Sequence, residues 1–191
     1  MSDHLTGSVL VVCTGNVCRS PFIERSLAAA LRDTQIRVSS AGTGALVGQG
    51  MDPGSARRGR AAGLDVEDFR SRQVTVDMVR EANLIIAASR EHAGEVIALS
   101  PRAIKYAFSL PDLADLLDGA SRNEINSALG ATHVARVAAT AVGRRGRAHP
   151  RQGDDALIVD PYLKDDRVFD AMVEQIDQHL PVVVAALRAD R

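Results

Sequence analysis

There is no tryptophan in this chain of 191 residues, and aromatic side chains make up only 3% of it. A core built with so few aromatics must be aliphatic. At 46% hydrophobic and 25% charged residues the chain is globular rather than disordered. An excess of one charge is also lacking: 23 Lys and Arg against 24 Asp and Glu leave a net charge of -1, which provides no electrostatic basis for nucleic-acid binding. Cysteine is confined to Cys13 and Cys18. Two residues so close together exclude a secreted disulfide framework, and their spacing is not the C-x-x-C of common zinc or thioredoxin sites. A reducing, cytoplasmic setting is therefore expected. No apolar run is long enough to cross a bilayer and Met1–Ser8 carries no signal-peptide pattern, so membrane insertion is not expected. The length suits one domain over residues 1–191.

What is present is concentrated between Val9 and Leu27, VLVVCTGNVCRSPFIERSL. Val9-Leu10-Val11-Val12 is a short continuous β-favouring run, as expected of a strand buried on both faces of a parallel sheet. A helix follows, with Ser20 as the expected N-cap, Pro21 at its first position, and Phe22, Ile23, Ser26, Leu27, Ala30 and Leu31 on one face. Between strand and helix lies Cys13-Thr14-Gly15-Asn16-Val17-Cys18-Arg19. Such a loop can turn successive backbone N–H groups into one concavity at the positive end of the helix dipole, a setting for a phosphate. Gly15 and Asn16 tolerate the left-handed backbone angles of a tight curl. Converging N–H dipoles and the Arg19 cation favour the thiolate of Cys13, making it a candidate nucleophile. The planar fork of Arg19 can hold two phosphoryl oxygens. Ser20 can donate a hydrogen bond to the thiolate and help it leave.

The pattern C-x5-R-S after a buried strand, continued as CTGNVCRSP, resembles the low-molecular-weight protein tyrosine phosphatases. The resemblance implies an α/β fold: a three-layer, doubly wound sheet of about four parallel strands with flanking helices, the phosphate-binding loop following the first strand. It also implies phosphotyrosine hydrolysis through a cysteinyl-phosphate, without metal or cofactor. Ser40-Ala41-Gly42-Thr43 is usual in this family beside the active site. GALVGQGMDP, Gly44–Pro53, is similar to the bacterial phosphatases acting on tyrosine autokinases of polysaccharide export. A tyrosine-phosphorylated protein, such as a bacterial tyrosine kinase, is the implied partner. Many relatives carry an aromatic on this wall, where the nearest large side chain here is Leu46. A plain flexible loop is the other reading of this glycine-rich stretch.

Further along, Ile36–Ala41 reads as a strand. Pro53–Ala62 reads as a helix with Ser55, Arg57, Arg58 and Arg60 outward and Ala56 and Ala61 inward, ended by Gly63. A connection covers 64–73 and a short helix Asp77–Ala82. Leu84–Ala88 is the next buried strand, followed by a helix over Arg90–Leu99 capped by Ser89, and Lys105–Ser109 is the last strand. His92, with no acidic or cysteine partner at a useful spacing, reads as surface or structural.

Residues 113–153 form a helical and basic insertion atypical of the family. Ile125, Ala128, Leu129, Thr132, Ala135, Ala138 and Val142 fall on one helical face, predicting one additional helix. GRRGRAHPR, Gly143–Arg151, is either a solvated linker or a basic loop that steers acidic partners. His133 and His149 have no partners at metal-ligand spacing.

Asp160-Pro161-Tyr162 supplies the second piece of chemistry, since phosphomonoester hydrolysis needs a proton delivered to the leaving oxygen and then taken from water. By resemblance Asp160 is the general acid and base, and Tyr162 borders the substrate slot. Asp165 and Asp166 open a last helix with the stripe Val168, Met172, Ile176, Leu180, Val183, Val184 and Leu187, kinked by Pro181. Cys18, five residues from Cys13, is a redox candidate able to shield the nucleophile as a disulfide. Protein arginine phosphatases and arsenate reductases share the scaffold. The former typically have Thr at the position of Val17, and the latter use further redox cysteines or a small-thiol partner. A non-catalytic phosphoprotein-binding module would lack Cys13 or Asp160.

Overall fold

The computed structural model describes residues 6–146 and 153–188. Four strands, β1 (Thr6–Cys13), β2 (Gln35–Gly42), β3 (Leu84–Ala87) and β4 (Ala107–Ser109), form one parallel sheet in the order β2-β1-β3-β4. Val9 pairs with Val38 on one side and Leu84 on the other. Because β1 is central, Val9 to Val12 are buried on both faces, which explains the unbroken apolar run.

The two faces of β1 define two cores. Val9 and Val11 pack with Phe22, Ile23 and Leu27 of α1 (Arg19–Ala30) and with residues of α5 (Leu110–Leu117), α7 (His133–Gly143) and α8 (Asp166–Leu187). Leu10 and Val12 pack with Val79 of α3 (Val76–Glu81) and Val96 of α4 (Arg90–Leu99). This is the three-layer, doubly wound arrangement expected. The chain leaves β1 for β2 on one side and later β3 on the other, which opens a crevice at the carboxyl end of β1.

Several expectations need correction. Helix α1 begins at Arg19 with Cys18 at the N-cap and no side-chain cap, so Ser20 is not the cap. Pro21 is still tolerated, because a first-turn N–H has no intrahelical partner. In α2 (Pro53–Ala61) Asp52 caps the helix, Ser55 and Gly59 face inward and Ala61 outward. The single helix expected over 125–142 is two, α6 (Arg122–Ser127) and α7 (His133–Gly143). A Cβ on Gly130 would lie 2.7 Å from the backbone N of Arg136, so the chain closes tightly there and starts a new helix capped by Thr132. The buried face of α7 is Val134, Val137, Ala138 and Ala141, while Leu129 is 92% exposed. His133 is a buried structural residue, its Nε2 3.0 Å from the Ala186 carbonyl.

Arg144 donates to the carbonyls of Leu116 and Asp118 and to Glu124, and Arg145 stacks 4.7 Å from the Phe108 ring centre. These two cations of the basic segment are thus engaged in packing. Its remainder, including Arg147, His149 and Arg151, lies outside the described residues. In α8 Phe169 rather than Val168 starts the buried stripe, and the helix runs on through Pro181.

Candidate active site

The loop between β1 and α1 is shaped by its carbonyls. Those of Cys13, Thr14, Gly15 and Val17 accept from the N–H groups of Thr43, Gly44, Leu46 and Asp52, at 2.9, 3.0, 3.0 and 2.9 Å. In a trans peptide the N–H points opposite to the C=O, so these bonds turn the N–H groups of Thr14, Gly15, Asn16 and Cys18 into the loop's concavity. Asn16 carries the left-handed turn with φ of 54°. Its Oδ1 accepts from the Arg72 N–H at 2.9 Å, and its Nδ2 donates to Ser20 Oγ at 2.9 Å and Ser40 Oγ at 2.8 Å. One buried amide therefore fixes the loop to α1, β2 and the 71–73 segment.

Because Asn16 donates into Ser20 Oγ, the Ser20 proton is left to point elsewhere. Cys13 Sγ is 3.0 Å away. Arg19 is buried; its Nη1 donates to the Ile158 carbonyl at 3.4 Å and its Nη2 to Asp160 Oδ2 at 2.7 Å. Its Nε has no hydrogen-bond partner among the described residues.

Asp160 is brought over the loop from 147 residues away in sequence. The Ile158 N–H donates to the Ala88 carbonyl at the end of β3, and the Val159 N–H to Gln175 of α8. The Tyr162 N–H donates to Asp160 Oδ1 at 3.2 Å, a local turn that orients the carboxylate. Tyr162 is 41% exposed and, with Leu46, lines a cavity of about 150 Å³ that Cys13, Thr14, Gly15, Val17, Cys18, Arg19 and Asp160 also line. Leu46 is held there by Ser71, whose hydroxyl donates to its carbonyl. All the sequence candidates thus meet at one place. Asn16 and Ser20 are buried outside the cavity lining, and the others line the cavity.

The Cys18 thiol is pushed up to about 12, chiefly by burial and then by the Asp52 carboxylate and Cys13, with the Ser55 hydroxyl acting the opposite way. Cys18 therefore remains a thiol at neutral pH. Two features were missed in the sequence. His92 is buried and its Nε2 lies 2.8 Å from Thr14 Oγ1, so it adjoins the site. Leu163 adopts φ of 58° and is exposed beside Tyr162; no sequence signal marks this. For His92 the signal was its place three residues after the Ser89 cap, on the first turn of a helix leaving the sheet edge beside β1.

The family model for "Low molecular weight phosphotyrosine protein phosphatase" matches residues 8–126. The chain belongs to this family. The matched span of this phosphatase family includes Cys13 to Ser20 and Leu46 and stops short of Asp160. Over 93 residues the chain is 41% identical to the low molecular weight protein-tyrosine-phosphatase Wzb of Salmonella typhi, across 49% of this chain and 61% of that protein. The match thus spans less than two thirds of Wzb's length. It is 40% identical over 101 residues to the phosphatase Etp of Escherichia coli K12, covering 53% of this chain and 67% of Etp. Its fold superimposes on the crystal structure of the tyrosine phosphatase AmsI of Erwinia amylovora with a TM-score of 0.68 at 26% identity, covering 95% and 93% of the two chains.

Proposed function

We propose that this chain is a protein-tyrosine phosphatase that hydrolyses protein phosphotyrosine through a cysteinyl-phosphate, without metal or cofactor. The observation that carries the reading is the 3.0 Å approach of Ser20 Oγ to Cys13 Sγ inside one small cavity with Arg19 and Asp160. In the first step Cys13 Sγ attacks phosphorus in line as the P–O bond to tyrosine breaks, and that oxygen takes a proton from Asp160. The loop N–H groups and Arg19 hold the three equatorial oxygens. In the second step Asp160 takes a proton from water, the water oxygen bonds to phosphorus, and the P–S bond breaks to return a thiolate hydrogen-bonded by Ser20.

The apolar walls Leu46 and Tyr162 suit an aryl ring. Val17, apolar, buried and lining the cavity, supports phosphotyrosine over phosphoarginine. The names of the relatives support a tyrosine-phosphorylated protein as partner, and by resemblance a tyrosine kinase of polysaccharide export in the bacterial cytoplasm. Among the described residues no helix is long and apolar enough to cross a membrane. We also infer a single phosphatase domain over 1–191 in which the described part of the 113–153 insertion, residues 113–146, belongs to the core. The burial of Val134, Val137 and Ala138 against β1 supports this.

The test is hydrolysis, with EDTA present, of a phosphotyrosine peptide, a phosphoarginine peptide and para-nitrophenyl phosphate. Turnover of the tyrosine peptide by wild type, and none by Cys13→Ser, is the expected result. Turnover of phosphoarginine alone overturns the substrate assignment, and no turnover by wild type overturns the reading itself.

A further inference from the structure

Thr14 follows the nucleophile directly, and its hydroxyl is at the end of a chain of hydrogen bonds that the mechanism above does not use. Ser89 caps α4: its Oγ accepts from the His92 backbone N–H at 3.3 Å and lies 2.7 Å from His92 Nδ1. A hydroxyl accepting a backbone N–H keeps its own proton, and we assign that proton to the bond with Nδ1. The neutral ring then carries its hydrogen on Nε2 and donates to Thr14 Oγ1, 2.8 Å away. Burial and the nearby Arg19 cation both favour this neutral ring, against the carboxylates of Glu95 and Glu91 on its own helix and Asp160 across the site. With Thr14 Oγ1 accepting from the ring, its own proton is left to donate. Thr14 lines the cavity that holds Cys13 and Arg19, and also the groove beyond it lined by Ser89, His92 and Asp160.

We propose that the Thr14 hydroxyl is a further hydrogen-bond donor to the phosphoryl group, and that His92, itself held by Ser89, is the positioning residue that aims it. The inference deepens the phosphatase reading and rests on it. A backbone N–H at this position serves any residue type. A donating hydroxyl needs an acceptor bond on its oxygen to set the direction of its proton, and His92 supplies that bond. The physical consequence is a coupling between two side chains on different elements, since each is useful to the phosphate only through the other.

The experiment is a double-mutant cycle on the full chain, reading kcat/KM for the phosphotyrosine peptide and competitive inhibition by inorganic phosphate. Thr14→Val and His92→Leu are each expected to lower kcat/KM and weaken phosphate inhibition by about three- to tenfold, the worth of one hydrogen bond. The double variant is expected to be no worse than either single one. His92→Gln, whose amide nitrogen can replace Nε2–H, is expected to recover most of the loss. A merely structural His92 gives losses that multiply in the double variant, or His92→Gln as impaired as His92→Leu, and either result overturns the inference. Unchanged phosphate inhibition in Thr14→Val overturns it too. A wild type that does not turn over the phosphotyrosine peptide overturns the phosphatase reading and this inference with it, whereas full wild-type turnover with an additive cycle overturns this inference alone.

Discussion

Arg19 Nη2 donates a 2.7 Å hydrogen bond to Asp160 Oδ2, and the two side chains come from opposite ends of the chain to make it. Arg19 is buried and the Asp160 side chain is half exposed, so the aspartate is the partner able to move away. In the proposed reaction the guanidinium exchanges this single carboxylate contact for phosphoryl oxygens, which its planar fork can hold bidentately. Asp160 therefore plays two parts, proton carrier and competitor for the anion site.

Replacement of Asp160 by Asn separates these parts. Removal of the proton carrier is expected to lower kcat for the phosphotyrosine peptide by about 10²- to 10⁴-fold. Removal of the competing charge is expected to make inorganic phosphate a tighter competitive inhibitor than it is for wild type. Steady-state kinetics with phosphate as inhibitor read both. Weaker phosphate inhibition in Asp160→Asn contradicts the competition argued here.

The loop's curl depends on a close approach at Gly42. A Cβ placed there would lie 2.3 Å from the Thr14 carbonyl oxygen, a backbone atom that can give way only if the loop shifts. Gly42→Ala is expected to cost about 1–3 kcal/mol of stability and to reduce turnover, because the Thr14 carbonyl is one of the anchors that aim the loop's N–H groups. Gly94→Ala is the control. It sits inside α4 with open space around it, and is expected to gain about 0.5–1 kcal/mol. Urea unfolding of both variants checks the pair.

Cys18 has its thiol pushed up to about 12 by burial first and by Asp52 second, so thiolate reagents at pH 8 should pass it by. Iodoacetamide is expected to label wild type once, on Cys13, and to leave folded Cys13→Ser unlabelled, as read by mass spectrometry of digests. The same residue is proposed as a redox shield. Peroxide oxidises Cys13 to a sulfenic acid, and the Cys18 sulfur displaces its oxygen as water to form a disulfide that dithiothreitol reduces. Wild-type activity should then be recoverable after peroxide treatment, and that of Cys18→Ser largely not. Equal irreversible loss contradicts the shield.

His92 makes stability pH-dependent in a direction that can be worked out. Burial foremost, and then the Arg19 cation from α1, lower its pKa below the ordinary 6.5, while Glu95 and Glu91 on α4 and Asp160 from its loop oppose the shift. The unfolded chain therefore binds the proton first as pH falls. The contribution is present above 6.5 and is lost as pH falls from there through the lowered folded value. Urea midpoints measured across this range should fall less steeply in His92→Gln than in wild type.

The sequence alone determined the sheet and the loop. Val9–Val12 is apolar without alternation because both of its faces are covered. Residues 13–20 carry their chemistry in local order, since curl, cation and nucleophile are all within one turn of chain. Ser89 as a cap of α4, Pro53 opening α2 and the acidic start of α8 are also local, so their residue types declare them. What only the tertiary structure decided involves partners distant in sequence. Ser20 reads both as an N-cap and as a donor to Cys13, and the fold keeps only the second, because Asn16, held by Arg72 and Ser40, takes its other side. Arg144 and Arg145 read as a solvated basic patch, yet carbonyls of α5 and the ring of Phe108 claim them. His92 has no acidic or cysteine partner at a short spacing; its link to the site is Thr14, 78 residues away across the sheet edge. A residue's type limits which bonds it can form, while packing chooses among them.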